Sequence, residues 1–175
     1  SFTGDPFGFG SNVDPVLVDA PCEVTLVGLG ASSSGDVIAL VGDGPNTPVA
    51  ARRAVEFAGA ADGRVTLLNV QPTVDGTDSV DPVTRGEATI AAVAEQAGLD
   101  RDEYDPRVTV DDDVESALLD AAVGRELVCL GLSDRSDVDA GATRSIAARI
   151  RGRSDSDVAL ARGALERREA AASSD

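Results

Sequence analysis

Histidine, lysine, methionine and tryptophan are all missing from this 175-residue chain, and its aromatics are one Tyr and four Phe. Each absence excludes something. Without His, and with only Cys22 and Cys129 as thiols, there is no CxxC and no Cys/His spacing that would hold zinc. The same lack removes a Cys–His pair or any His-activated nucleophile, and no GxxxxGK[ST] phosphate loop is present. The chain is therefore read as a protein that is not an enzyme. No apolar run approaches the ~18–20 residues that cross a bilayer, and no secretory signal is visible. A chain with no Met at all is expected to be a processed or excised piece. With so few aromatics, the core has to be built from Val, Leu, Ile and Ala. Cys22 and Cys129 lie beside apolar, strand-like residues and are expected as buried free thiols.

What is abundant is negative charge. Asp and Glu number 31 against 15 basic residues, all of them Arg, for a net charge of −16. Such a surface suits molar salt, where the Debye length falls to about 3 Å and self-repulsion is screened. An acidic interaction domain in ordinary salt is the alternative. Either way, the charge argues against binding nucleic acid through its phosphates.

From residue 35 onward, short apolar runs alternate with helical stripes. Residues 36–41 (DVIALV) read as a strand closed by the turn Gly42-Asp43-Gly44-Pro45. Thr47-Pro48 reads as an N-cap with proline at the first helical position, opening a helix over 47–61 with Ala50, Ala54, Phe57, Ala58 and Ala61 on one face. Residues 65–70 form a second strand, followed by a polar connection to about Val80. Asp81-Pro82 starts a second helix with Ile90, Val93, Ala94 and Ala97 inside and Gly98 at its end. A third strand spans 107–110. Asp112 with Glu115 resembles a capping box for a third helix carrying Val114, Ala117, Leu118 and Ala121. Residues 126–132 and 157–161 are strands flanking a short helix over 143–151, and 163–175 is a polar tail. Strands separated by helices mean βαβ units, a parallel sheet and helices on both faces, with ligands beyond the carboxyl ends of the strands.

Two stretches carry a family resemblance. AARRAVEFAGAADGRVTLLNVQP resembles the first helix and second strand of the universal stress proteins, and ELVCLGLSDRS…RSIAARI resembles their fourth strand, nucleotide loop and following helix. The resemblance spans residues 36–162. It implies an α/β fold: a five-stranded parallel sheet with helices on both faces, of the adenine nucleotide alpha hydrolase-like type, here with an N-terminal extra strand. ATP-binding members of that family carry G-x2-G-x9-G-[S/T] after the fourth strand, and an Asp after the first strand that contacts ribose or adenine.

This chain keeps the spacing and changes the residues. Gly131 stands at the first position, Asp134 where the second Gly belongs, and Arg144-Ser145 where Gly-Ser closes the motif; Asp137 and Asp139 lie between. Two like charges at ~4 Å cost roughly 1 kcal/mol in water, more when partly buried. A triphosphate is thus expected to bind weakly or not at all, although Arg135 or Arg144 offers a rescuing charge. Asp43 sits one residue out of register with the family's Asp, and reads equally as nucleotide contact or turn residue. With Val70 at the end of the second strand, the implied and degenerate site is Asp43, Val70, Gly131, Asp134, Arg144 and Ser145. No cofactor is firmly implied; ATP or AMP is the open choice.

Residues 1–30 resemble the end of a second such domain: FGSNVDPVLVDAPCEVTLVG holds a Gly-Ser helix start at Gly10-Ser11, a helix, a turn and a final strand. The organisation expected is a remnant of a preceding domain over 1–30, a complete domain over 35–162 and a tail over 163–175. Family members pair their last strands antiparallel, so residues 23–27 are expected beside residues 157–161. The alternative is a simple N-terminal extension that adds an edge strand. Implied partners are a homodimer or a tandem-domain pairing through the last strand, and the membrane domain of a transporter; nucleic acid is not among them.

Three functions stay open: a regulatory or interaction domain with weak or lost ATP binding, an ATP/AMP-responsive stress switch, and a hydrolase. The first is favoured. The resemblance extends to the tandem C-terminal regions of haloarchaeal cationic amino-acid transporters, which implies a place in the cytoplasm or at the cytoplasmic face of the membrane.

Overall fold

Runs of Val, Leu and Ile bounded by turns become strands, and the Ala-rich stretches between them become helices. The computed structural model describes residues 16, 20–28, 35–74, 80–132, 146–153 and 156–164. The strands are β1 (Val24–Gly28), β2 (Val37–Leu40), β3 (Val65–Gln71), β4 (Asp105–Val110), β5 (Leu127–Gly131) and β6 (Asp157–Arg162). The helices are α1 (Thr47–Ala60), α2 (Pro82–Ala97), α3 (Val114–Ala122) and a fourth, α4, at residues 146–153.

All six strands form one sheet in the order β1-β6-β5-β2-β3-β4. Strands β2 through β6 are mutually parallel, whereas β1 runs antiparallel to β6, with Val24 opposite Arg162 and Gly28 opposite Val158. The arrangement expected, a five-stranded parallel sheet with an extra strand, is thus corrected to a single six-stranded mixed sheet. The physical reason lies at the β6 edge, where unpaired N–H and C=O groups would otherwise face solvent. β1 satisfies them in the antiparallel pairing anticipated for residues 23–27.

Alternation along the strands feeds two cores. Ala39, Leu67, Cys129, Ala159 and Ala161 point to the face covered by α1 and α2, where Ala50, Ala51 and Ala54 are completely buried. Ile38, Leu68, Val128 and Leu160 point to the opposite face, covered by α3 and α4 through Leu118, Ala147 and Ile150. Both layers are aliphatic, as the composition requires. Small Ala residues let α1 lie close to the sheet, which places its first turn at the carboxyl ends of the strands. Among the described residues, no helix is long and apolar enough to cross a membrane.

The helix ends show which local signals held. Asp81 caps α2 by accepting from the Thr84 N–H at 3.1 Å, and Gly98 ends it in the left-handed region at φ 71°. At α1 the N-cap is Asn46, not Thr47, and it makes no side-chain capping bond. At α3 the cap is Asp113, which accepts from the Ser116 N–H at 3.0 Å. Asp112 instead accepts from the Thr73 N–H at 2.8 Å and from its hydroxyl, bonds that hold its carboxyl below the ordinary range. Ala61 and Val114, expected inside, are exposed. Cys129 is buried, and burial pushes its thiol pKa far up; Cys22, expected to be buried, is exposed. Residues 165–175 of the expected tail lie outside the described residues, as do most of residues 1–19.

The cap assignment has a direct check. Asp113→Ala should lower stability in urea unfolding by about 1 kcal/mol, the usual loss for an N-cap. An unchanged midpoint would return the cap to another residue.

Candidate functional site

After β4 the chain crosses back over β2 to lay down β5 and β6 on its other side, so β2 and β5 mark the point where strand order reverses. Parallel sheets open a crevice there, at the carboxyl ends. The crevice is a cavity of about 300 Å³. Val41 and Gly42 reach it from the turn after β2, Asn69 and Val70 from the end of β3, Gly131 from the end of β5, and Thr47 from the first turn of α1. Val114 of α3 and Ile146 of α4 complete its apolar side. Among the described lining residues none is charged, in a chain whose net charge is −16.

Two asparagines shape this cavity. Asn69, only 4% exposed, donates to the Val41 carbonyl at 2.8 Å and accepts from the Gln71 side chain at 2.7 Å. A buried amide left unpaired would cost about 1–3 kcal/mol, so this pairing holds the ends of β2 and β3 together. Asn46 works one step away. Its amide donates to the Leu132 carbonyl at 2.6 Å and its oxygen accepts from the Gly163 N–H at 2.8 Å. It joins the start of α1 to the chain leaving β5 and to the chain leaving β6.

Gly131 is dictated by the same approach. A Cβ there would stand 2.7 Å from the Asn46 carbonyl carbon and 2.9 Å from the Thr47 nitrogen. The residue is glycine because backbone already occupies the space a side chain would need. This reason is independent of any phosphate.

The expected site residues divide into three groups. Val70 and Gly131 come together at the cavity. Asp43 does not join them: it is exposed and lines a separate groove of about 440 Å³ against Arg85, Thr89 and Gln96 of α2. Gly42, one residue earlier, lines both the cavity and this groove. A Cβ on Gly42 would meet nothing within 4 Å. Asp134, Arg144 and Ser145 lie outside the described residues, as do Arg135, Asp137, Asp139, Gly10 and Ser11.

Asn46 escaped the sequence reading, which placed the helix cap on Thr47; its signal was an Asn beside Pro45 at a helix start. Asn69 was visible only as part of the strand-ending Asn-Val. Among the described residues, no group of three or more His, Cys, Asp or Glu side chains is placed to hold a metal ion.

With this geometry in hand, similarity to solved structures is informative. A universal stress protein solved in complex with cAMP superposes with a TM-score of 0.55 at 19% identity, covering 75% of this chain and 99% of its own. UspA from Lactobacillus plantarum matches with a TM-score of 0.53 at 18% identity, over 75% of this chain and 99% of that one. A universal stress protein from Archaeoglobus fulgidus DSM 4304 covers 89% of this chain with 58% of its own length, at a TM-score of 0.55 and 14% identity. No family model matches the sequence, and no curated protein is significantly similar to it. At these identities the likeness establishes the fold: this chain is folded as a universal stress protein.

The two glycines give a matched pair of variants. Gly131→Ala should lower stability by about 1–3 kcal/mol, the usual cost of forcing extra atoms into filled space. Gly42→Ala, which points into open space, should stay within about 0.5 kcal/mol of the parent. Thermal unfolding of both checks it, and equal losses would contradict the close approach.

Proposed function

We propose that this chain is a regulatory or interaction domain of the universal-stress-protein type, not a catalyst, whose cavity takes the nucleoside end of an adenine nucleotide and grips phosphate poorly. The observation that carries this reading is the lining: small, uncharged and largely apolar, with polar side chains from Thr47 and Asn69. A volume of about 300 Å³ is at the low end of ligand sites, which run roughly 300–1,000 Å³, and suits a base with its sugar. Flat apolar walls with backbone amides and carbonyls at strand ends match what a purine offers. The likeness to a universal stress protein solved with cAMP supports an adenine compound over other planar ligands.

Two features favour weak phosphate binding. The sequence after Gly131 carries Asp134, Asp137 and Asp139 where a phosphate loop needs glycines and donors. Gly131 itself is fully accounted for by its contact with α1. Against catalysis, the Asn69 amide is already committed on both sides, and Thr47 has no His or Cys–His partner in this sequence to activate it.

The second reading is an ATP- or AMP-responsive stress switch, favoured by the open space at Gly42, which leaves room at the cavity rim. The wider setting belongs to the same proposal: a salt-adapted archaeal protein, paired in tandem with a second domain and working at the cytoplasmic face of an amino-acid transporter. Its support is the resemblance of residues 1–30 to a domain end, the pairing of β1 with β6, and the match to a longer stress protein of which this chain covers 58%.

Titration calorimetry with adenosine, AMP and ATP in multimolar KCl separates the readings. The nucleoside reading expects the three to bind within about fivefold of one another, a spread of roughly 1 kcal/mol. ATP binding at least tenfold tighter than adenosine would favour the switch. No heat with any of them would leave an interaction domain without a ligand.

A further inference from the structure

We propose that Asn46 is a positioning residue through which the docking of β1 on β6 sets the shape of the cavity. The connection is a short series of bonds. On the cavity side, Asn46 holds the Leu132 carbonyl, and its backbone lies against Gly131, which lines the cavity. On the other side, it accepts from the Gly163 N–H, the residue directly after β6. Leu132 also donates its N–H to the Ala161 carbonyl at 2.9 Å, so the ends of β5 and β6 move as one piece.

β1 controls that piece from outside. Arg162, the last residue of β6, is 8% exposed, and its guanidinium donates to the Ala20 carbonyl at 2.7 Å and the Cys22 carbonyl at 3.4 Å, just before β1. It also reaches the Gly163 carbonyl at 3.2 Å. If β1 leaves, this guanidinium loses the Ala20 and Cys22 carbonyls, keeps only the Gly163 carbonyl, and is drawn toward water. That movement takes Gly163 with it and breaks the bond to Asn46. A second tie acts on α1 directly, since Glu23 pairs with Arg52 and Arg53. β1 therefore holds both the start of α1, through Asn46, and its middle, through Glu23.

Among the described strands β1 has a single neighbour, β6, and four of its five residues are only half-buried. It shares that edge position with β4, and an edge strand so placed can open locally. Coupling between two sites is reciprocal, so a partner that takes β1 loosens the cavity, and occupation of the cavity tightens β1.

The test needs no ligand, so it stands apart from the nucleoside reading. In the full chain, Leu26→Ala weakens β1 on the sheet, and amide exchange is followed for β1 and for Leu132 and Thr47 at the cavity rim. Leu26→Ala should speed exchange in β1 about tenfold and at the rim about threefold. In an Asn46→Ala background the same change should still speed β1 but have a clearly smaller effect at the rim, limited to what passes through the Leu132–Ala161 bond and Glu23. Asn46→Asp, which keeps the acceptor for Gly163 and loses the donor to Leu132, should give the same result and serves if Asn46→Ala does not fold. A rim that ignores Leu26→Ala, or responds equally with and without Asn46, would overturn the proposal.

Discussion

The start of α1 lies against the end of β5 at a separation that excludes any side chain, and the geometry of the cavity follows from that approach. Gly131 permits it, and Asn46 bonds across it to Leu132 and Gly163. The four buried alanines of the α1 face, Ala50, Ala51, Ala54 and Ala58, let the helix settle low enough on the sheet to reach that position. Asn69 then closes the other wall by tying β3 to β2. Four strand ends and one helix start are thus brought together by backbone bonds and two side-chain amides, with no ion pair among these contacts.

That matters in a chain so acidic. Ion pairs such as Glu23 with Arg52 and Arg53, or Arg149 with Glu115, lie on partly exposed surfaces, where salt screening leaves about 0–1 kcal/mol each. The fold rests instead on two aliphatic layers, one on each face of the sheet. Among the described residues no Asp or Glu is buried, and the cavity lining that is described carries no charge. A net charge of −16 repels polyanions at long range wherever salt does not screen it.

Much of the architecture was legible in the residues. Apolar runs located β2, β3, β5 and β6, the Asp81–Gly98 signals bounded α2, and the likeness of two chain ends placed β1 beside β6. Shifts of one residue were harder to read. Asp112 and Asp113 are both able caps, and only the position of Thr73 in space decides between them. Asp43 and Gly42 differ by one position in a turn, yet Gly42 reaches both the cavity and the groove while Asp43 lines only the groove. Cys22 looked buried because strand residues follow it, yet it sits before the strand begins. Asn46 was hidden for another reason: its partners are 86 and 117 residues away, and no local pattern reports on contacts of that range.

The central claim is that ligands enter at the ends of β2, β3 and β5, not in the groove holding Asp43. Backbone amide shifts recorded during an adenosine titration in high salt test it directly. The account predicts shifts concentrated at Val41, Gly42, Val70 and Gly131. Shifts centred on Asp43, Thr89 and Gln96 instead would contradict it.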